Sequence, residues 1–181
     1  MTSAEYIQLK AFARIDGVWL FGLWLVGFAC YLIGLTQPFF GFLAMFLLLF
    51  TPFFAAFRLR RFRDEDREGI ISFLRGYVYT ILMFFYGGLL MAVAEYFYFA
   101  YLDQGYLLGT ITHLFYSEEG MKMIQDAGIQ ELIHESMKGL QSMRPIDFAL
   151  NMLSMTISAG LFLGLPVAFF IQSSKGKENI L

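Results

Sequence analysis

The chain has 181 residues, of which 58% are hydrophobic and 15% charged, whereas soluble domains have roughly 45 to 50% and about 25%. One soluble core of this size would not bury so much apolar surface, so a lipid bilayer is the expected solvent for much of the chain. The net charge of −2 excludes an overall attraction to nucleic acid, and the single cysteine, Cys30, excludes an intramolecular disulfide.

Residues 1–16 form a mostly polar segment before the first apolar stretch. Thr2 and Glu5 have the spacing of a capping box, which predicts a helix start. Apolar residues recur on one face of that helix, at Ala4, Ile7, Ala11 and Ile15. The segment is predicted to be an interfacial helix that leads into the first span, with a plain extension of that span as the alternative.

Four apolar stretches, 17–35, 38–57, 76–102 and 146–171, are long enough to cross a bilayer. They are continuous rather than alternating, which indicates helices and excludes barrel strands. Two residues separate the first pair and Pro38 begins the second, so these two spans are predicted to form a tight hairpin. We expect a single all-α membrane domain over residues 1–181, a bundle of four transmembrane helices.

The distribution of Lys and Arg predicts how the chain is threaded. An even number of spans puts residues 1–16, a loop at 58–75 and a tail at 172–181 on one side, with ten Lys and Arg residues, including Lys175 and Lys177. The 103–145 loop on the other side has three. The positive-inside rule then predicts that both termini are cytoplasmic.

The stretch "RLRRFRDEDREG" at 58–69 supplies five of these ten residues. The predicted topology and lipid head-group anchors are Arg58, Arg60, Arg61, Arg63 and Arg75. Acids alternate with these arginines, which argues against a dedicated binding site for anionic signalling lipid and against nucleic-acid binding.

The 103–145 loop is predicted to be a helical extracytoplasmic insertion between the third and fourth spans. Ser117 before two glutamates indicates a helix start, and Gly128 indicates a break. An apolar stripe follows at helical spacing: Ile129, Leu132, Ile133, Met137 and Leu140. We expect this amphipathic helix either to cap the bundle or to present its stripe to another protein.

Glu95 is the ionisable residue that lies within an apolar span, which makes it the leading candidate for a functional side chain. Gly88 and Ala92 share its helical face, so we expect that face to contact the bundle. A polar stripe on the fourth span completes the candidate intramembrane site: Asp147, Asn151, Ser154 and Ser158. The alternative is ordinary hydrogen bonding between helices.

Near the opposite side of the fourth span, Thr156, Gly160 and Gly164 form a ladder of small residues that allows close helix packing. No catalytic motif is present, and His113 and His134 lack partners at metal-ligand spacing. We therefore predict no catalytic residues, no metal site and no cofactor.

Several blocks resemble one family: "QLKAFARIDG" at 8–17, "TPFFAAFRLRRFRDEDREG" at 51–69, "ISFLRGYVY" at 71–79 and "FYFAYLDQG" at 97–105. They are similar to uncharacterised bacterial membrane proteins grouped as domain of unknown function 4199. The resemblance implies a four-helix inner-membrane protein without assigned catalytic residues. It also implies a setting in envelope glycan or lipid-carrier metabolism, with a polyprenyl-phosphate glycosyltransferase as a candidate partner.

Two functions lead among the hypotheses. The first is a non-enzymatic accessory or scaffold module that contacts membrane lipids and binds a membrane protein through its outer stripe and the small-residue face of span four. The second is a small homodimeric transporter or lipid-handling protein that uses Glu95 and the polar stripe. An enzyme acting on a lipid-linked substrate is a weaker third hypothesis, because no second acid or base is identified near Glu95.

Overall fold

The computed structural model describes residues 3–173, apart from the side chain of Ala4, and these residues form helices without a β-strand. The helices are α1 (Ser3–Gly34), α2 (Pro38–Asp66), α3 (Phe73–Phe97), α4 (Tyr106–Phe115), α5 (Glu118–Ala127), α6 (Gln130–Ser142) and α7 (Pro145–Ile171), and a π-helical turn (Tyr98–Leu102) extends α3. Four candidate spans are long and apolar enough to cross a membrane: Glu5–Gly34, Pro38–Asp66, Phe73–Leu102 and Pro145–Ile171. The predicted all-helical fold with four such helices is confirmed.

Helices α1 and α2 form the predicted tight hairpin. Pro38 begins α2 directly after Gln37, at a position where its missing N–H has no helical partner to lose. Trp24 Nε1 donates a hydrogen bond to Thr51 Oγ1 at 3.1 Å, and the rings of Phe12 and Phe62 pack with centroids 5.2 Å apart. The members of each pair lie almost equally far along the chain from Gln37, as two straight antiparallel helices require.

Helix α3 lies between α1 and α7 and carries the largest share of the core. Tyr79, Met83 and Phe84 of α3 are fully buried. On α7, Gly160 faces Phe84 and Thr156 faces Gly88, so a side chain added at either glycine would collide with its neighbour. The small-residue ladder of α7 therefore packs against α3 within the same chain.

The predicted loop at 58–75 is wrong in most of its length, because α2 continues to Asp66 and the connection to α3 covers only residues 67–72. The acids between the arginines explain why the helix continues where a loop was predicted. Arg61 Nε donates to Glu65 at 2.8 Å, and Arg60 Nε lies 3.6 Å from Asp64, both one helical turn apart. Such pairs stabilise a helix on its exposed side.

The predicted N-terminal segment is not a separate helix from the first span, since α1 runs without interruption from Ser3 to Gly34. Leu9 and Ala13 pack into the core, while Ile7 and Ile15 of the predicted apolar face are exposed. The structure thus agrees with the alternative of a plain extension of the span. Thr2, Lys175 and Lys177 lie outside the described residues, as does the side chain of Ala4.

Both ends of the described chain meet at one end of the bundle, which we call the arginine-rich end. Ile71, just before α3, and Ser173, just after α7, exchange two backbone hydrogen bonds of 3.2 and 3.0 Å. Glu5 of α1 forms ion pairs with Arg67 and Arg75 at the same end. The first and last spans therefore begin and finish together, in agreement with an even number of crossings.

Helices α4, α5 and α6 pack mainly on one another rather than on the long helices. Ser117 caps α5 by accepting a hydrogen bond from Gly120 N at 3.1 Å, and Gly128 ends α5 with a positive φ of 67°, so both predicted boundaries are confirmed. Met137 of the predicted stripe is buried, but Leu132 is exposed. Ile133 and Leu140 are half-buried, so much of the stripe packs within the group of α4, α5 and α6.

The turn between α1 and α2 provides a test of the hairpin. A Cβ atom at Gly34 would lie 2.5 Å from the backbone nitrogen of Gly41, whereas a Cβ at Gly41 would make only ordinary contacts. We expect Gly34→Ala to destabilise the protein by about 1 to 3 kcal/mol, as overpacking does, and Gly41→Ala to have no destabilising effect. Thermal unfolding in lipid nanodiscs measures both, and equal melting temperatures for the two variants would contradict this packing.

Candidate functional site at the arginine-rich end

A buried carboxylate joins three helices near the arginine-rich end. Asp16 of α1 is only 4% exposed. Its Oδ1 accepts hydrogen bonds from Arg58 of α2, including one from Nε at 2.7 Å, and its Oδ2 accepts one from the hydroxyl of Tyr79 on α3. Charge-assisted hydrogen bonds of this kind are about twice as strong as neutral ones.

The hairpin explains why these residues meet. Asp16 and Arg58 each lie 21 residues from Gln37, so the common antiparallel register of α1 and α2 puts them side by side. Tyr79 lies about two turns into α3, where its ring stacks on Phe62 with centroids 4.9 Å apart. The apolar ring contacts bury the site, and burial strengthens the interaction between the charges.

A second acid, Glu5, ties the start of α1 to the connection between α2 and α3. Its Oε1 accepts a hydrogen bond from Arg67 Nη2 at 3.0 Å, and its Oε2 accepts one from Arg75 Nη2 at 2.5 Å. Arg75, a predicted lipid head-group anchor, is thus engaged within the protein. The same holds for Arg58.

Arg63 joins α2 to the end of α7. Its Nη1 donates a hydrogen bond to the carbonyl oxygen of Ile171 at 2.9 Å, and its Nε donates to Asp64 at 2.7 Å. A cation at the C-terminus of a helix interacts favourably with the helix dipole and with carbonyls that lack a helical partner. Of the five predicted anchors, only Arg60 and Arg61 have strongly exposed side chains.

A cavity of about 280 Å³ opens between α1 and α2 beside Asp16. Arg58, Arg61 and Asp66 contribute charged groups to its lining, and Phe12, Ile15 and Trp19 contribute an apolar wall. Buried charge and open volume coincide at this cavity. We therefore take this cavity, with its Asp16 floor, as the candidate binding site.

Glu95 lies in the interior, as the small residues on its face predict, and is 6% exposed. The contacts Gly88 with Thr156 and Gly160 with Phe84 define the antiparallel register of α3 and α7. Continued by two turns, this register brings Glu95 level with Ala149. Within residues 3–173 the Glu95 side chain takes part in no hydrogen bond or ion pair.

The polar stripe of the fourth span does not meet Glu95. Asn151, Ser154 and Ser158 are exposed on the side of α7 that faces away from α3. The stripe and the small-residue ladder occupy different faces of one helix, and only the ladder contacts α3. Within the described residues of one chain, Glu95 and the stripe therefore do not form a joint site.

Asp147 has a local structural role instead. Its carboxylate accepts hydrogen bonds from the backbone N of Arg144 at 2.8 Å and from Arg144 Nη2 at 3.0 Å, which completes a capping box at the start of α7. A negative charge there also interacts favourably with the helix dipole. Residues 3–173 contain no cluster of three or more His, Cys, Asp or Glu side chains that would hold a metal ion.

Comparison with known proteins gives the family. The model of a protein family of unknown function, DUF4199, matches residues 16–173. The chain belongs to the DUF4199 family. Searches of curated proteins and of solved structures found no match.

The match begins at Asp16 and includes every helix of the DUF4199 fold described above from that residue on. Asp16 and Tyr79 are absent from the predicted site residues, although a signal for Asp16 exists. An acid and an arginine at equal distances from a short turn lie at the same level of a helical hairpin, and they pair when both face the partner helix. Tyr79 has no comparable signal, because the register between α1 and α3 depends on packing rather than on a short turn.

The buried ion pair predicts a large and local effect on stability. Replacing Asp16 by Ala leaves the Arg58 guanidinium buried without its partner, and breaking such a pair costs about 3 to 5 kcal/mol. We expect Asp16→Ala to lower the melting temperature strongly, with Asp64→Ala, at an exposed acid of the same cluster, as the matched control. Fluorescence of Trp19 and Trp24 follows unfolding, and equal effects of the two variants would contradict the buried network.

Substitution of Glu95 is expected to change the melting temperature in the opposite direction. A buried carboxylate without a hydrogen-bond partner is more costly than a neutral amide of the same shape. We expect Glu95→Gln to keep or raise the melting temperature in nanodiscs. A clear decrease would instead show that the carboxylate has a partner that stabilises its charge.

Proposed function

We propose that this DUF4199 protein is a non-enzymatic accessory module that holds a second membrane protein against the exposed polar stripe of α7. The observation that carries the proposal is the outward position of Asn151, Ser154 and Ser158 on a helix with a mean hydropathy of 1.9. Leu161 and Leu165 continue the stripe at steps of three and four residues. Such spacing is typical of a helix face that packs along a partner helix.

Asn151 argues most strongly for a partner. The hydroxyl of a membrane serine can bond to a carbonyl one turn earlier in its own helix, so Ser154 and Ser158 tolerate lipid. The asparagine amide has two donors and an acceptor, and the helix backbone around it has no free groups to match them. A neighbouring transmembrane helix with a polar side chain would satisfy the amide.

Packing against α3 decides which face of α7 is available to a partner. The small-residue ladder was the expected partner surface, but Thr156 and Gly160 pack against α3. The polar stripe lies on the free side. Ile129 and Leu132, the exposed residues of the predicted stripe beside and in α6, offer a second contact away from the arginine-rich end.

The setting that we propose is envelope glycan or lipid-carrier metabolism in a bacterial inner membrane, with both termini cytoplasmic and α4 to α6 on the outer side. A polyprenyl-phosphate glycosyltransferase is the candidate partner. These finer statements are supported by the family resemblance and by the excess of Lys and Arg at the arginine-rich end.

Photocrosslinking in cells tests the proposal. A photoreactive amino acid at Ser154 should give a discrete adduct, and one at Leu48, on the exposed face of α2, should give none. We expect Asn151→Leu to weaken the Ser154 adduct by about fivefold, the effect of losing one interhelical hydrogen bond of about 1 kcal/mol. The mass of the adduct separates a different protein from a second copy of this chain. Equal labelling from Ser154 and Leu48, or no adduct at all, would contradict the proposal.

A further inference from the structure

The cavity between α1 and α2 has charged groups in a definite order. Helix α1 runs from the arginine-rich end into the bundle and α2 runs back, so Arg58 lies deeper than Arg61, and Asp66 lies nearest that end. The eight residues from Arg58 to Asp66 correspond to about 12 Å along the helix. From the interior outward, the cavity therefore presents the Asp16–Arg58 pair first, then the Arg61–Glu65 pair, and the Asp66 carboxylate last.

Two of these charged groups retain bonding capacity. Arg58 uses Nε and Nη2 for Asp16, and Nη1 has no hydrogen bond within residues 3–173. Asp66 is half-buried at the rim, and its carboxylate takes part in none of the ion pairs or hydrogen bonds of those residues. A ligand could thus receive hydrogen bonds at the deep end and donate them at the shallow end.

The apolar wall continues the cavity toward the bilayer. Trp19, which is 62% exposed, and Ile15, also exposed, face outward from α1 on the lipid side of the opening. Trp19 is the deeper of the two. An acyl chain that entered between these side chains would bring its phosphate to the level of the arginines.

We propose that this cavity binds one phospholipid whose head group contains both a phosphate and a primary ammonium group, the phosphatidylethanolamine class. Arg58 and Arg61 contact the phosphate, Asp66 accepts hydrogen bonds from the ammonium group, and Trp19 and Ile15 pack against the acyl chain. The order of groups in the cavity matches the order of groups in such a lipid. The volume of about 280 Å³ is suited to a head group rather than to a whole lipid.

The charge balance distinguishes this lipid class from anionic ones. Three carboxylates, those of Asp16, Glu65 and Asp66, line the cavity against two guanidinium groups. Glu65 is paired with Arg61 and Asp16 with Arg58, which leaves Asp66 as the unmatched charge. A head group with phosphate alone would place a negative charge beside Asp66, whereas an ammonium group neutralises it.

Native mass spectrometry of the purified full-length protein tests the proposal with defined lipids. The protein is mixed with equal amounts of dioleoyl phosphatidylethanolamine, phosphatidylglycerol and phosphatidylcholine. We expect one phosphatidylethanolamine to be retained per chain, about fivefold or more in preference to either competitor, because only its head group donates N–H hydrogen bonds to Asp66. Soluble phosphoethanolamine should not displace it, since it lacks the acyl chain.

Matched variants identify the groups responsible. Asp66→Asn should abolish the preference for phosphatidylethanolamine over phosphatidylglycerol. Asp64→Asn should preserve it, because the Asp64 carboxylate pairs with Arg60 and Arg63 and lies outside the cavity lining. Arg61→Gln should weaken retention of every phospholipid, and Arg60→Gln should not. Melting temperatures close to that of the wild-type protein confirm that each variant is folded.

Several results would overturn the proposal. Equal retention of the three lipids, a preference for phosphatidylglycerol, or identical behaviour of Asp66→Asn and Asp64→Asn would each exclude a site built for an ammonium group. Displacement by soluble phosphoethanolamine would show that the cavity recognises a free head group instead of a lipid.

Discussion

The buried contact between Asp16 and Arg58 is the interaction on which the arginine-rich end depends. It joins α1 to α2, and the hydroxyl of Tyr79 extends it to α3. A carboxylate in a span is costly unless it is paired and hydrogen-bonded, so the three helices are held in the one register that satisfies it. The same contact forms the floor of the cavity, which means that stability and the proposed lipid site share their central residue.

The four long helices, the hairpin at Gln37 and the packing of Thr156, Gly160 and Gly164 follow from apolar length, turn residues and spacing, and the structure agrees with them. Helix ends were harder to predict, because Arg60 and Arg61 are polar enough to suggest a loop but pair with acids one turn later and extend α2. The candidate site was only partly predictable. Charge alone identified the arginines, but which of them face inward depends on register, as the contacts of Arg63 with Ile171 and of Arg75 with Glu5 illustrate.

Helix α7 shows why two faces of one helix need separate explanations. Its small residues pack against α3, and its polar residues face away, so the sequence pattern indicated two contacts without indicating which one is internal. For Glu95, the sequence predicted the burial of the side chain but not the residue opposite it. Its neighbours on the helix correctly placed it inside, but no sequence feature showed that Ala149, rather than a polar side chain, would lie level with it.

The central claim is that Asp16 and Arg58 stabilise the fold through each other. A double-mutant cycle in nanodiscs with Asp16→Ala, Arg58→Ala and the double variant measures this directly, with the free energy of unfolding as the readout. The structure predicts a coupling energy of about 2 kcal/mol or more, near the upper part of the range for residues in direct contact. Additive effects of the two substitutions would contradict the account.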